Sequence, residues 1–158
     1  MRIWFCFFGL IFLLVSSCTY NLKGFTARNV RSVAIPVFEN KTIKYGLEEV
    51  LTKLVIDAFI KDNRLKVVDR DKAESVLLGE IITYSRAPFA YDEDANVKDY
   101  KIELSMKLIY KDKEDKVLSE KQLTDWYVYS AQDTEEEGIE KLCEKVATDI
   151  LRGILEGW

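Results

Sequence analysis

The chain is predicted to fold as a single α+β domain, a mostly antiparallel sheet with two amphipathic helices packed on one of its faces. Two stretches, Gly46 to Lys61 and Thr134 onward, repeat apolar residues at helical spacing. A third, Lys98 to Tyr110, alternates apolar and polar residues along its length. Helices with one apolar face need a sheet to cover, and the alternating segment starts one.

In chain order, Met1-Arg2 precedes an apolar run from Ile3 to Val15, interrupted by Cys6 and Gly9. As a helix the run spans roughly 20 Å, short of a ~30 Å hydrocarbon core. A basic start, a short apolar centre and small residues before a cut make a secretory signal. The junction Leu14-Val15-Ser16-Ser17-Cys18 resembles a bacterial lipobox. Small side chains let the chain lie extended in the peptidase cleft, and the cysteine thiol accepts diacylglycerol. Residues 1–17 are therefore expected to be a signal peptide, with Cys18 the lipidated first residue of the mature chain. Two or more acyl chains, at about 0.8 kcal/mol per buried methylene, anchor a protein stably. Thr19 follows rather than Asp, which by enteric-type sorting points to the outer membrane, on its periplasmic side. Residues 18–31 are polar and irregular, a tether into the domain at 32–158.

Ser32 to Phe38 is a short β-branched run, a strand that Pro36 places near an edge or a bend. Glu39 to Thr42 is expected to be a loop. Leu47, Val50, Leu51, Leu54, Val55, Ala58 and Phe59 form the stripe of the first helix, with Glu48 and Glu49 at its positive end and Lys61 at the other. Asp62-Asn63 has turn chemistry. Leu65 to Val68 is a second strand. Ser75 to Arg86 is a third, apolar on both faces and so central, and Ala87 to Asn96, with Pro88 and three acids, is expected to be a mobile loop. Lys98 to Tyr110 and Val117 to Tyr129 pair through the polar turn Asp112-Lys113-Glu114-Asp115. Thr134 caps the last helix, three glutamates fill its first turn, and its stripe runs from Ile139 to Leu155. The order is β-α-β-β-β-β-α.

Chemistry is conspicuous by what is missing. The chain has no histidine, the commonest general base and catalytic metal ligand. Its net charge of −4 becomes one unit more negative once Arg2 leaves, so nothing draws it to nucleic acid in general. With Cys6 in the signal and Cys18 lipidated, Cys143 has no partner for an internal bridge, and its place on the apolar stripe marks a buried small hydrophobe. Asp92-Glu93-Asp94 lacks the spacing of a calcium loop, and no phosphate loop, zinc spacing or nucleophile elbow occurs. No catalytic residue, metal site or cofactor is expected. Trp126, Tyr127 and Tyr129 cluster on the fifth strand; alternation sends Trp126 to one face with Val128 and the two tyrosines to the other. Packing in the sheet core is the expected role of the cluster, and one of the two faces is left to meet a partner, since interfaces are rich in such side chains.

Cys18-Thr19-Tyr20-Asn21-Leu22-Lys23-Gly24, then Val33 to Thr42, Tyr45-Gly46-Leu47-Glu48, Arg64 to Val68, and Leu77-Leu78-Gly79-Glu80-Ile81 follow one another in an order and spacing that resemble the lipopolysaccharide-assembly lipoproteins (LptE). The stretch between Gly24 and Val33 is short for that family, and Glu74 stands where Asp is expected; neither touches a site. The resemblance implies a non-catalytic lipoprotein that sits in the lumen of an outer-membrane β-barrel translocon (LptD), helps that barrel fold, plugs it, and contacts lipopolysaccharide. Contact with lipopolysaccharide phosphates asks for exposed cations, and Arg86, Lys98, Lys111 and Lys113 are placed for it.

Two other functions compete. Val33 to Asn40 and Ala73 to Ile81 also resemble curli-secretion (CsgG-like) lipoproteins, which form homo-oligomeric pores and need lipid-facing hairpins. An envelope hydrolase would use paired carboxylates, but no acid lies in an apolar context and no histidine assists. The native chain is expected to weigh that of residues 18–158 plus lipid, and Cys18→Ser to abolish the lipid. An intact mass still starting at Met1 and unmodified would refute the anchored form.

Overall fold

The computed structural model describes residues 30–156, so residues 1–17, Cys18 and nearly all of the tether lie outside the described residues. Six strands and two helices are described: β1 (Ser32–Ala34), β2 (Glu39–Asn40), α1 (Leu47–Asp62), β3 (Lys66–Val67), β4 (Ser75–Tyr91), β5 (Val97–Asp112), β6 (Val117–Ser130) and α2 (Glu135–Glu156). The strands make one mixed sheet in the order β3-β1-β4-β5-β6, with β2 pairing β4 beyond the end of β1. The α+β architecture is as expected. The sheet is antiparallel where it is long, through β4-β5-β6, and its three short strands join in parallel.

Burial on the helix side is continuous. On β5, Ile102, Leu104, Met106, Leu108 and Tyr110 are buried, and the residues between them face away. Opposite them lie Leu47, Leu51, Val55 and Phe59 of α1, and Ile139, Leu142, Val146, Ile150 and Ile154 of α2. Burying a side chain of this size contributes ~1.5–3 kcal/mol. The helices run side by side in the same direction. Lys44, just before α1, pairs with Glu135 and Glu136 at the start of α2, and Arg64, just after α1, senses Glu156 at its end. Thr134 and Glu137 form a reciprocal capping box: the Glu137 N–H donates to Thr134 Oγ1 (3.2 Å) and the Thr134 N–H to Glu137 Oε2 (2.9 Å). Asn63 ends α1 with φ 61°, a left-handed conformation that asparagine tolerates.

Three expectations need correction. The first strand is broken: Ser32–Ala34 and Glu39–Asn40 are separate strands, and Pro36 lies between them. The presumed loop at Glu39-Asn40 is β2, paired with Glu80-Ile81 and tied by the Lys41 N–H to Ile81 O at 2.9 Å. The presumed mobile loop from Ala87 to Asn96 is mostly strand, because β4 runs on to Tyr91 and only a tight turn follows. Pro88 is compatible with a strand there for a definite reason. The Ala131 N–H bonds Lys98 O, so even-numbered residues of β5 turn their backbone to β6 and odd-numbered ones to β4. Pro88 stands opposite Tyr100, so its missing N–H faces the edge that β1 and β2 no longer cover.

Between β1 and β2 the chain lays Phe38 over β4. A Cβ on Gly79 would come within 2.8 Å of the Phe38 ring. Phe38 is itself buried and its N–H is held by Thr52 Oγ1 at 3.0 Å, so it has no room to yield. Gly79→Ala is expected to cost about 1–3 kcal/mol by overpacking, read as a lower denaturant midpoint at unchanged slope.

Candidate functional site

A one-residue irregularity in β4 builds the most concentrated polar cluster. Leu77, Gly79 and Ile81 face the helices, but the register shifts between Ile81 and Thr83. Beyond that bulge Tyr84 and Arg86 take the helix side, opposite Leu104 and Ile102. Both thus arrive beneath the first turn of α2. Tyr84 donates to Glu135 Oε1 (2.9 Å), Lys44 Nζ lies 3.0 Å from the same oxygen, and Arg86 Nε stands 3.8 Å from Glu135 Oε2. The guanidinium also donates to the Tyr129 hydroxyl and lies 3.5 Å from the centre of the Tyr100 ring. Tyr100 and Tyr129 stack at 5.8 Å. Burial opposes the charge on Glu135, but the hydrogen bonds from Lys44 and Tyr84 outweigh it and hold its carboxyl below the usual range. Burial first, and Glu135 second, push the Tyr84 phenol well above its ordinary value, so it stays a donor.

Above this cluster the β4–β5 hairpin overhangs the helices. Phe89 and Tyr91 are 58% and 60% exposed there. The turn is closed by Asp92, whose Oδ1 accepts from the Asn96 N–H at 2.8 Å, and Ala95 takes φ 62°.

The second surface is the face of the sheet that neither described helix covers. Thr83, Ser105 and Thr124 lie abreast across β4, β5 and β6, and Thr124 Oγ1 is 3.1 Å from Ser105 Oγ. Lys107 pairs with Glu120 and Lys101 with Glu103, each at 2.7 Å. Leu78 and Ile109 add a half-buried apolar strip near β1. Trp126 stands on this face, 49% exposed, while Tyr129 is buried and Tyr127 half-buried on the other, as alternation requires.

The four cations singled out from the sequence are not brought together. Arg86 is engaged in the cluster, and Lys98 is exposed near the overhang. Lys111 and Lys113 lie at the opposite end of the sheet beside Asp115 and Glu114 (3.9 and 3.6 Å). Lys98 and Lys111 are about 40 Å apart along β5. The sequence reading missed Lys44, Tyr84, Tyr100 and Glu135 because strict alternation from Ile81 sends Tyr84 outward. Cys143 is buried as expected, and burial pushes its thiol up to about 12. The acid runs are exposed turn and helix start.

Ion-paired side chains, a polar sheet face that neither described helix covers and exposed aromatics at one pole are the surfaces this α+β domain presents. The chain belongs to the LptE lipopolysaccharide-assembly family, whose model matches residues 30–154. That family is non-enzymatic, and membership makes this chain an envelope lipoprotein of lipopolysaccharide assembly. The fold is shared with a Xanthomonas campestris protein (11% identity, TM-score 0.59, 81% of this chain and 85% of that one). It is also shared with lipoprotein B of Nitrosomonas europaea (18%, 0.52, 79% and 82%) and a minor lipoprotein of Acinetobacter baumannii (12%, 0.51, 80% and 92%). No curated protein matches the chain significantly.

The Glu135 cluster gives a pH signature. A carboxyl held below its ordinary value of 4.5 contributes stability that is whole above that value and lost as pH falls through the lowered one. The stability difference between the native chain and Glu135→Gln is therefore expected to shrink as acid is added below about pH 4.5, measured by urea unfolding across the range.

Proposed function

We propose that the chain is held by lipid at Cys18 on the periplasmic side of the outer membrane and plugs the lumen of the β-barrel lipopolysaccharide translocon, LptD, assisting its assembly and touching lipopolysaccharide in transit. The observation that carries this is the division of the sheet. One face is sealed by helices into a dry core, and the other is a broad surface of hydroxyls and paired charges. Barrel interiors are polar, and a plug facing one needs a surface made mostly of hydrogen-bonding groups. The paired lysines and glutamates suit a wet contact, where ion pairs with water access contribute little on their own but set complementarity.

Lipopolysaccharide phosphates are the partners for which Arg86, Lys98, Lys111 and Lys113 are proposed. Since the pairs stand at opposite ends, each end would meet a separate part of that large ligand. A pore of identical subunits fits less well, because the apolar side of β5 is occupied by the chain's own helices and is not offered to lipid.

Purification of the native protein from membranes in mild detergent, with mass spectrometry of what accompanies it, tests the proposal. One large outer-membrane barrel and lipopolysaccharide are expected. A ring of identical chains, or no barrel, would overturn the plug. Charge reversal at the four cations is expected to lower retained lipopolysaccharide, and unchanged retention would remove these residues from the contact.

A further inference from the structure

Among the described residues strand β6 ends the sheet, so one whole side of its backbone has no described neighbouring strand. The Ala131 N–H to Lys98 O bond fixes which residues look that way: odd-numbered residues of β6 turn to β5, and even-numbered ones present both N–H and C=O to the open edge. Glu120, Gln122, Thr124, Trp126 and Val128 are thus a template on which another strand could form. Trp126 differs from the others. Its N–H donates to Asp125 Oδ1 at 2.9 Å, and its C=O accepts from Lys145 Nζ at 3.4 Å. Lys145, on α2, also pairs with Asp125 Oδ1.

The placement of Lys145 is decisive. Asp125 is buried on the helix side, opposite Leu104, while the Trp126 ring lies on the uncovered face. The same ammonium reaches the Asp125 carboxylate and lies 5.4 Å from the centre of the Trp126 ring. To touch groups on both sides it must lie across the edge itself. Lys101 holds the ring from β5 at the same 5.4 Å, so the indole is clamped beside the crossing point. Asp125 Oδ2 is buried without a hydrogen-bond partner among the described residues, so the acid is retained at a cost that core packing alone does not repay.

We propose that Asp125 and Lys145 lock the free edge of β6 against a second copy of this chain, which would otherwise add to it as an antiparallel strand. The occupant follows from the edge. Laid antiparallel on its own copy about Gln122, β6 sets Glu120 against Thr124 and Gln122 against Gln122, with no like charges opposed at these backbone-paired positions. Glu120 to Thr124 spans five residues, of which only Glu120, Gln122 and Thr124 turn their backbone groups to the edge, and a two-stranded pairing that short is marginal in water. Any longer pairing runs past Trp126, on both copies, where the backbone groups are taken and an ammonium blocks the approach. The lock concerns self-pairing only, so its test is independent of the barrel partner.

Asp125→Thr with Lys145→Ala frees both Trp126 groups without stranding a buried charge. In sedimentation of the full chain in mild detergent, the native protein is expected to remain one chain per micelle, and the double variant to form dimers whose fraction rises with concentration. Adding Gln122→Pro removes an N–H that faces the edge and costs β6 no backbone bond to β5, only the side-chain contact with Ser105 Oγ at 3.4 Å, so it is expected to restore the monomer. A folded double variant that stays monomeric, or dimers that survive Gln122→Pro, would overturn the lock. Amide exchange on the native chain supplies a second reading that requires no variant. The Trp126 N–H is expected to exchange at least tenfold more slowly than those of Gln122 and Thr124, and equal rates would overturn the proposal.

Discussion

Strand β4 pairs with β5 along nearly its whole length, and almost every other part takes its position from that ladder. The ladder gives the helices a face to bury, and β1 and β2 dock in parallel on its first half only, with β3 outside β1. Where they stop, β4 has no further described neighbour on that side, and the bulge at Ile82 falls at that same point. An inserted residue costs regular pairing, but in exchange it turns Tyr84 and Arg86 toward the helix ends. The polar pole therefore depends on a defect in the ladder rather than on its regularity.

Much of the fold was legible because periodicity survives wherever one face is dry. Lys98 to Tyr110 alternates because its odd residues lie on the polar face, mostly half-exposed, and its even ones from Ile102 to Tyr110 lie in the core with Leu142, Val146 and Ile150. Both helix stripes were legible for the same reason, as was Thr134 with its glutamates. What could not be seen was anything depending on backbone phase. Pro88 argues locally against a strand, and it is permitted because β1 and β2 end before they reach its N–H side. Glu39-Asn40 looks like a turn, and its pairing with Glu80-Ile81 is a long-range fact.

The candidate surfaces were harder to foresee than the fold. Exposed cations could be named, but their separation depends on strand length and register, which put Lys98 and Lys111 at opposite ends. Glu135 looked like a helix-dipole acid and is one; its further bonds to Lys44 and Tyr84 exist only because α1, α2 and the bulge converge. Alternation did separate Trp126 from Tyr127 and Tyr129. It could not show that two lysines, from different elements, flank the indole.

The overhanging hairpin has a geometric consequence. The chain enters the domain at β1, where Val33 lies beside Ser75, and the hairpin turns just after Tyr91. At about 3.3 Å per residue, β4 separates these two points by about 50 Å, and its pairing with β5 stiffens that span. The domain is in effect a ruler: whatever fixes its first residues in place also sets how far away Phe89 and Tyr91 can make contact.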